Sequence, residues 1–398
     1  MEKICNYTTV SIASVFFLLG SACTAPLDTA DPKQSFTKIY NEGSFSSAIT
    51  ALDVVETTEG YLILSTKQVT DQQFPGVTLL AIDKEGKVAK QTDLDSIYVS
   101  AAKGMFRSGV NYRFLCMNGN TTQAYMTEVD NKGIFVSDAP LNVSYPLCIG
   151  LAANGSYLVQ GYSQDSRATI FANYSTALTQ NWRSEYNVLE SVDEPIFAHL
   201  SNLGKKYPFS VGETASNYYF NGFRNFTFSL VFVNKASRAQ TGVLNGYQYD
   251  GGLSSIVPLE GNTFALSRFY FGENYINPKA TINPSTTAAS KDIDGRKMLE
   301  LEADAAVSLN RLTLNGKKVL VYASNTIDKQ IVIYVYDEST GNLVNSKYFG
   351  LTVPCEFGAM TATEDGGLLL VGNAFVDGRF KRTCAFKLAK SQLEDLVK

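Results

Sequence analysis

Only one histidine, His199, and one tryptophan, Trp182, occur in 398 residues. Metal sites and acid–base catalysis draw heavily on histidine, so the chain is poor in the side chains from which those chemistries are usually built. Charge is scarce as well, since charged residues make up 18% against roughly a quarter in an average soluble protein. Lys and Arg total 34 against 38 Asp and Glu, a net charge of −4 with no basic block, which argues against nucleic acid as a partner. No GxSxG elbow presents a serine, and no two of the six cysteines have CxxC spacing, so the sequence points to no cofactor and no metal. Hydrophobic residues reach 45% while glycine (30) and proline (11) stay ordinary. A large core can be buried, and neither disorder nor low complexity applies.

The N-terminus runs from MEK through a short apolar stretch, Val10 to Leu19, to small residues and Cys23. That layout is a secretory signal, too short to cross a bilayer as a mature helix. It resembles a bacterial lipoprotein signal, whose cysteine becomes the lipidated first residue of the mature chain. Gly20 stands three residues before Cys23 and Leu19 one position earlier, the looser form seen in Bacteroidota lipoproteins. The resemblance implies a signal peptide at 1–22, lipidation at Cys23 and attachment to a membrane, expected to be the outer membrane of the cell envelope. Residues 23–35 read as a flexible tether, polar with two prolines. Asp28-Thr29-Ala30 within it resembles the short O-glycosylation signal of Bacteroidota. Asn120, Asn142, Asn154, Asn173 and Asn225 head sequons, which matter only on a eukaryotic secretory route. No later stretch reaches the roughly 18 apolar residues of a spanning helix. Cys116, Cys148, Cys355 and Cys384 each lie in an apolar run, where buried free thiols and disulfides both remain open.

The informative signal is repetition. A Gly-bearing turn followed by a strongly β-forming run recurs in TTEGYLILS (Gly60), RSGVNYRFLC (Gly109), AANGSYLVQG (Gly155), NLGKKYPFSVG (Gly204), LEGNTFALS (Gly261), LNGKKVLVYA (Gly316) and EDGGLLLVG (Gly367). Spacings are 49, 46, 49, 57, 55 and 51 residues. Glycine supplies the positive φ of a hairpin turn, and a third and fourth β run follow most of these hairpins. Four antiparallel strands every 46 to 57 residues predict an all-β chain folded as a seven-bladed β-propeller over 36–398, or an eight-bladed one if the long stretch from Gly204 to Gly316 hides a further blade. The last repeat lacks a fourth strand, and FTKIY at 36–40 matches the fourth strands elsewhere, so an N-terminal strand is expected to close the ring. The hairpin phrases, DGGLLLVG above all, resemble those of secreted bacterial propeller-repeat proteins over nearly the whole mature chain.

Candidate functional residues are few. His199 is expected on the innermost strand of the fourth blade, five residues before Gly204, as a structural histidine. DIDGRKMLE (292–300) has part of a calcium-loop spacing but reads as a polar turn. The stretch 272–291 is expected to be an extended loop. Sixteen Phe or Tyr fall between Tyr207 and Tyr275; they suit an inter-blade core, with Tyr270 and Tyr275 as candidates for stacking on a glycan ring. Counting ten to twelve residues back from each turn glycine reaches the connections that ring the channel mouth, at Tyr98, Tyr145, Glu194, Asp250, Asp304 and Glu356. These read as a candidate ligand-binding ring, in which converging acids would be satisfied by a cation or by sugar hydroxyls, or as solvated loop acids. With no nucleophile–base pair, the reading is a non-catalytic binding or scaffold protein of the cell envelope whose partner is a glycan or an envelope protein. The alternative is a glycan-active hydrolase or lyase using paired carboxylates, which needs no histidine.

Overall fold

A repeat of short apolar runs behaves as strand only if both faces of the middle strands are covered. The computed structural model shows how this is met over residues 35–40, 47–68, 72–94, 97–314, 316–376 and 380–397, the residues it describes. The signal segment 1–22, Cys23 and all of the tether but residue 35 lie outside them. Four-stranded antiparallel meanders stand side by side around a central cavity, and strand dominates at 59% against 6% helix. In most meanders the second and third strands are buried on both faces against neighbouring sheets, as in Gly60–Lys67 and Ile331–Asp337, which is why YLILS and IVIYVY are continuous apolar runs without alternation. The outermost strands, such as Val88–Asp93 and Leu343–Phe349, are largely exposed and polar.

Six hydrogen-bonded sheets are present among the described residues. The nine-stranded one contains the meander Ile49–Glu56 to Val88–Asp93 and the meander Met105–Ser108 to Phe135–Ser144, linked through the short strand Tyr98–Val99, which pairs with both. The sheet of 210–245 carries a fifth strand, Thr287–Ala289, lying parallel to Gln240–Asn245. In the last sheet Phe36–Ile39 pairs antiparallel with Phe380–Leu388, placing Phe36 opposite Lys387. Hydrophobic clusters straddle adjacent sheets: one joins Val319, Val321 and Ile333 to Leu368, Leu370 and Phe386. Cys116, Cys148, Cys355 and Cys384 are buried free thiols.

Three sequence expectations are corrected. Gly204 is not in a hairpin; the first hairpin of that sheet joins Ser210–Glu213 to Asn217–Arg224, twelve residues or so later. His199 is consequently not on an innermost strand but in the last turn of a helix, Asp193–Ser201, inserted between two sheets. The stretch 272–291 is not a loop, because Glu273–Thr281 is the third strand of its sheet and Thr287–Ala289 crosses to the neighbouring one. β-branched and aromatic residues in ENYINPKAT carry that strand despite Pro278.

The first strand of each meander faces the cavity and has a ladder partner on one side only. Side-chain amides from the adjoining sheet fill part of the open edge. Asn373 Oδ1 accepts the Ala51 N–H at 2.9 Å, Asn325 Oδ1 accepts that of Phe357 at 2.5 Å, and Asn221 Nδ2 donates to the Leu253 carbonyl at 2.9 Å. Asn373 is 2% exposed, so its loss strands a buried N–H. Asn373→Ala is expected to lower stability by about 1–3 kcal/mol, read as a reduced unfolding midpoint in calorimetry against an exposed control such as Asn345→Ala.

Candidate functional site

Strand direction gives the ring two faces. First-to-second and third-to-fourth strand turns lie on one, the hairpin face; second-to-third turns and the crossings from one meander to the next lie on the other, the loop face. The two are built differently. Of eleven glycines with positive φ among the described residues, eight are on the hairpin face; of fourteen non-glycine residues with positive φ, twelve are on the loop face, Tyr145, Asn202, Phe226, Phe271 and Asp304 among them. Such residues cost about 1 kcal/mol each and persist where the surroundings hold them. The loop face also displays Leu203, Leu299, Leu351 and Phe271 at 79%, 76%, 74% and 55% exposure.

The cavity has a volume of about 660 Å³ and is lined by first strands and by the loop-face crossings. The helix Asp193–Ser201 caps part of it. The Leu200 carbonyl accepts from Ser100 Oγ at 2.9 Å, Asn202 Nδ2 donates to Thr66 Oγ1 at 3.0 Å, and Phe197 packs edge-on against Tyr145 at 5.3 Å, so the insertion is held by the first meander and by the crossings that follow the first two. His199, Lys205 and Lys206 enter the wall with it; Lys103 and Lys381 come from elsewhere in the ring.

Of the residues expected to ring the mouth, Asp304 and Glu356 line the cavity, whereas Glu194 and Asp250 are exposed in loop-face connections and do not. Asp304 is bonded to Lys205 Nζ at 2.7 Å and to the Gly272 N–H at 3.0 Å; Glu356 is bonded to Lys381 Nζ at 2.7 Å. A third lining acid, Glu302, pairs with Lys329 at 2.6 Å. These carboxylates are thus balanced by lysines of the chain. Tyr98 is nearly buried, stacks on Phe135 and donates to Asp138. The Tyr145 hydroxyl donates to Gln164 Oε1 at 3.3 Å. Tyr270 packs edge-on against exposed Phe271 at 4.8 Å. Tyr275 lies under the Arg268 guanidinium at 3.8 Å and donates to Glu273. Most aromatics of 207–275 are core: Tyr207, Phe209, Phe223 and Phe228 form one cluster. Asp292 of the calcium-like stretch is ion-paired with Lys291 at 2.5 Å.

The lysines of the wall were not picked out from the sequence. The signal was available: eleven residues before Ser216, in the true hairpin of that sheet, stands Lys205, followed by Lys206.

Burial, with Lys206 nearby, holds the His199 imidazole well below its ordinary 6.5. Its Nδ1 accepts the Tyr207 N–H at 3.0 Å, so the neutral ring keeps its proton on Nε2. The unfolded chain takes up a proton near 6.5 while the folded one does not, so folding stability attributable to His199 is complete above that pH and declines below it. The decline is at most about 1.4 kcal/mol per pH unit. Denaturant unfolding between about pH 7 and 5 is expected to show this slope, and His199→Gln to reduce it.

No family model matches the sequence, and no curated protein does. Solved structures are similar in fold. The WD40 domain of Toxoplasma gondii coronin is 10% identical, with 89% of this chain and 86% of that one covered and a TM-score of 0.50. The Dos1 propeller is 10% identical, covering 91% and 97%, at 0.49. The propeller domain of the Trilobed protease from Pyrococcus furiosus is 11% identical, covering 86% and 98%, at 0.46. At such identities the likeness extends to the fold alone: the chain is an all-β propeller.

Proposed function

We propose that this chain is a non-catalytic binding or scaffold protein of the bacterial cell envelope, anchored by lipid on Cys23, whose loop face meets a glycan or an envelope protein. The blades number seven in this reading, the nine-stranded sheet counting as two, and strand Phe36–Ile39 completes the last. What carries the proposal is the contrast between the faces. Glycine makes most of the turns of the hairpin face, while the loop face retains strained non-glycine residues and displays exposed apolar side chains. Strain is kept where a side chain is needed at that spot, and exposed apolar groups on the face where the cavity opens suit a partner surface. The hydrolase alternative is less well supported, since the carboxylates lining the cavity are each engaged by a lysine.

Two experiments test the reading. A glycan array and a pull-down from envelope fractions, run beside a turnover assay on whatever binds, are expected to give binding without turnover. The Leu203→Ser/Phe271→Ser variant is expected to weaken it at least about tenfold, and Val110→Ser, on the hairpin face, to leave it intact. Labelled palmitate should enter the wild-type chain, and Cys23→Ser should release the protein from membranes. Unchanged partitioning of that variant would end the lipoprotein reading.

A further inference from the structure

The ion pairs of the cavity wall do not use all of its cations. Glu302, Asp304 and Glu356 are taken by Lys329, Lys205 and Lys381. Lys103 and Lys206 also line the cavity, and among the described residues neither ammonium has a carboxylate within 4.0 Å. Lys206 Nζ donates to two neutral acceptors, the His199 carbonyl and Asn202 Oδ1, which leaves one of its three N–H bonds unspent. Lys103 Nζ makes a long contact of 3.3 Å to the Gly358 carbonyl. Asp53, the acid whose charge acts on Lys103, directs its oxygens to the backbone N–H groups of Val54 and Met105 at 2.9 and 2.7 Å.

We propose that the central cavity is an anion site, in which Lys206 and the Nε2–H of His199 receive one carboxylate or phosphate group of a small, sugar-sized ligand, while Lys103 adds positive charge elsewhere on the wall. This deepens the binding reading above and rests on it. Lys206 is exposed to the cavity rather than sealed in protein, so an incoming anion can reach it, pair its charge and complete its hydrogen bonds. The cavity, at about 660 Å³, has room for a sugar-sized molecule. The side chain of Thr50 on the wall offers a partner to one of its hydroxyls.

Protonation makes the site testable. Burial, and then the charge of Lys381, push Lys206 down to about 8; burial also lowers Lys103, with Asp53 opposing. Neutral His199 and the Lys381–Glu356 pair are its neighbours, and the charged groups that share the cavity wall with it are the Lys205–Asp304 pair, Glu302 and Lys103. A bound anion favours the charged ammonium, so binding is strongest below pH 8 and weakens above it, with proton uptake near the midpoint.

Calorimetric titration of the purified full chain with glucuronate, glucose 6-phosphate and neutral glucose decides the matter. At pH 7 an acidic sugar is expected to bind at least about tenfold more tightly than glucose, and to lose about tenfold by pH 9. Lys206→Gln should remove about tenfold at pH 7 and abolish the pH dependence, whereas Lys206→Arg should bind at pH 9 as at pH 7, because a guanidinium does not titrate there. Binding of only one acid supports the site and identifies its anion. Equal binding of glucose, unchanged affinity in Lys206→Gln, or no heat from either acid at about 10 mM overturns the proposal. If loop-face capture of envelope material persists in that last case, the anion site fails and the binding reading stands.

Discussion

Each innermost strand of the ring is paired on one side only, and the ring holds together because its open edge is answered from the next sheet. A radial arrangement turns successive sheets away from one another, so a continuous ladder cannot close the gap. Short polar side chains do so instead: Asn373 to Ala51, Asn325 to Phe357, Asn221 to Leu253, and Asp53 to the Met105 N–H. Each bond joins residues far apart in sequence, 322 positions in the first case, and so ties together parts of the ring that local hairpins cannot. Where the sheets come closest, glycine is required. A Cβ on Gly358 would lie 2.5 Å from the Ala51 carbonyl oxygen of the adjoining sheet. The edge bonds and the straddling apolar clusters therefore act on the same interfaces, one setting register and the other supplying most of the burial energy.

This construction divides the molecule by role. Hairpin turns need only reverse the chain, and glycine does so at no steric cost. Loop-face connections have to span from the rim to the cavity and arrive with particular side chains, so residues such as Asp304, at φ 51°, hold left-handed backbone while the carboxylate reaches Lys205. A hydrogen bond from the Gly272 N–H to that same carboxylate helps fix the position.

Sequence patterning made the all-β meanders and most hairpins legible because Gly109, Gly155, Gly261 and Gly316 occupy turn positions that need positive φ. Gly60 was found for another reason: a Cβ there would strike the Ile82 carbonyl oxygen at 1.9 Å. The fourth meander was misread because its hairpin, Thr214 to Asn217, contains no glycine and is closed by the Thr214 hydroxyl accepting the Asn217 N–H, while Gly204 nearby imitated the expected turn. That slip of about a dozen residues moved the count from Lys205 to Glu194. Asp304 and Glu356 were reached because their hairpins were read in register, but their lysine partners lie 99 and 25 positions away, beyond any local pattern. Tyr98 and Tyr145 fell at the right corners, yet partners that only the fold brings together, Asp138 and Phe197, occupy their polar and apolar surfaces.

The insertion that broke the repeat also supplies the unusual chemistry of the cavity. Helix Asp193–Ser201 ends at Asn202 in left-handed conformation, φ 61°, and the chain then turns back so that Lys206 meets the carbonyl of His199 in the last helical turn. A helix C-terminus carries partial negative charge. It therefore stabilises an ammonium that no carboxylate among the described residues pairs with, and the Asn202 amide oxygen adds a second acceptor. The same turn presents the Tyr207 N–H to His199 Nδ1, fixing which nitrogen keeps its proton. One short irregular segment thus sets the position and the protonation state of two groups on the wall, while the regular meanders supply the enclosure that makes their charge state matter.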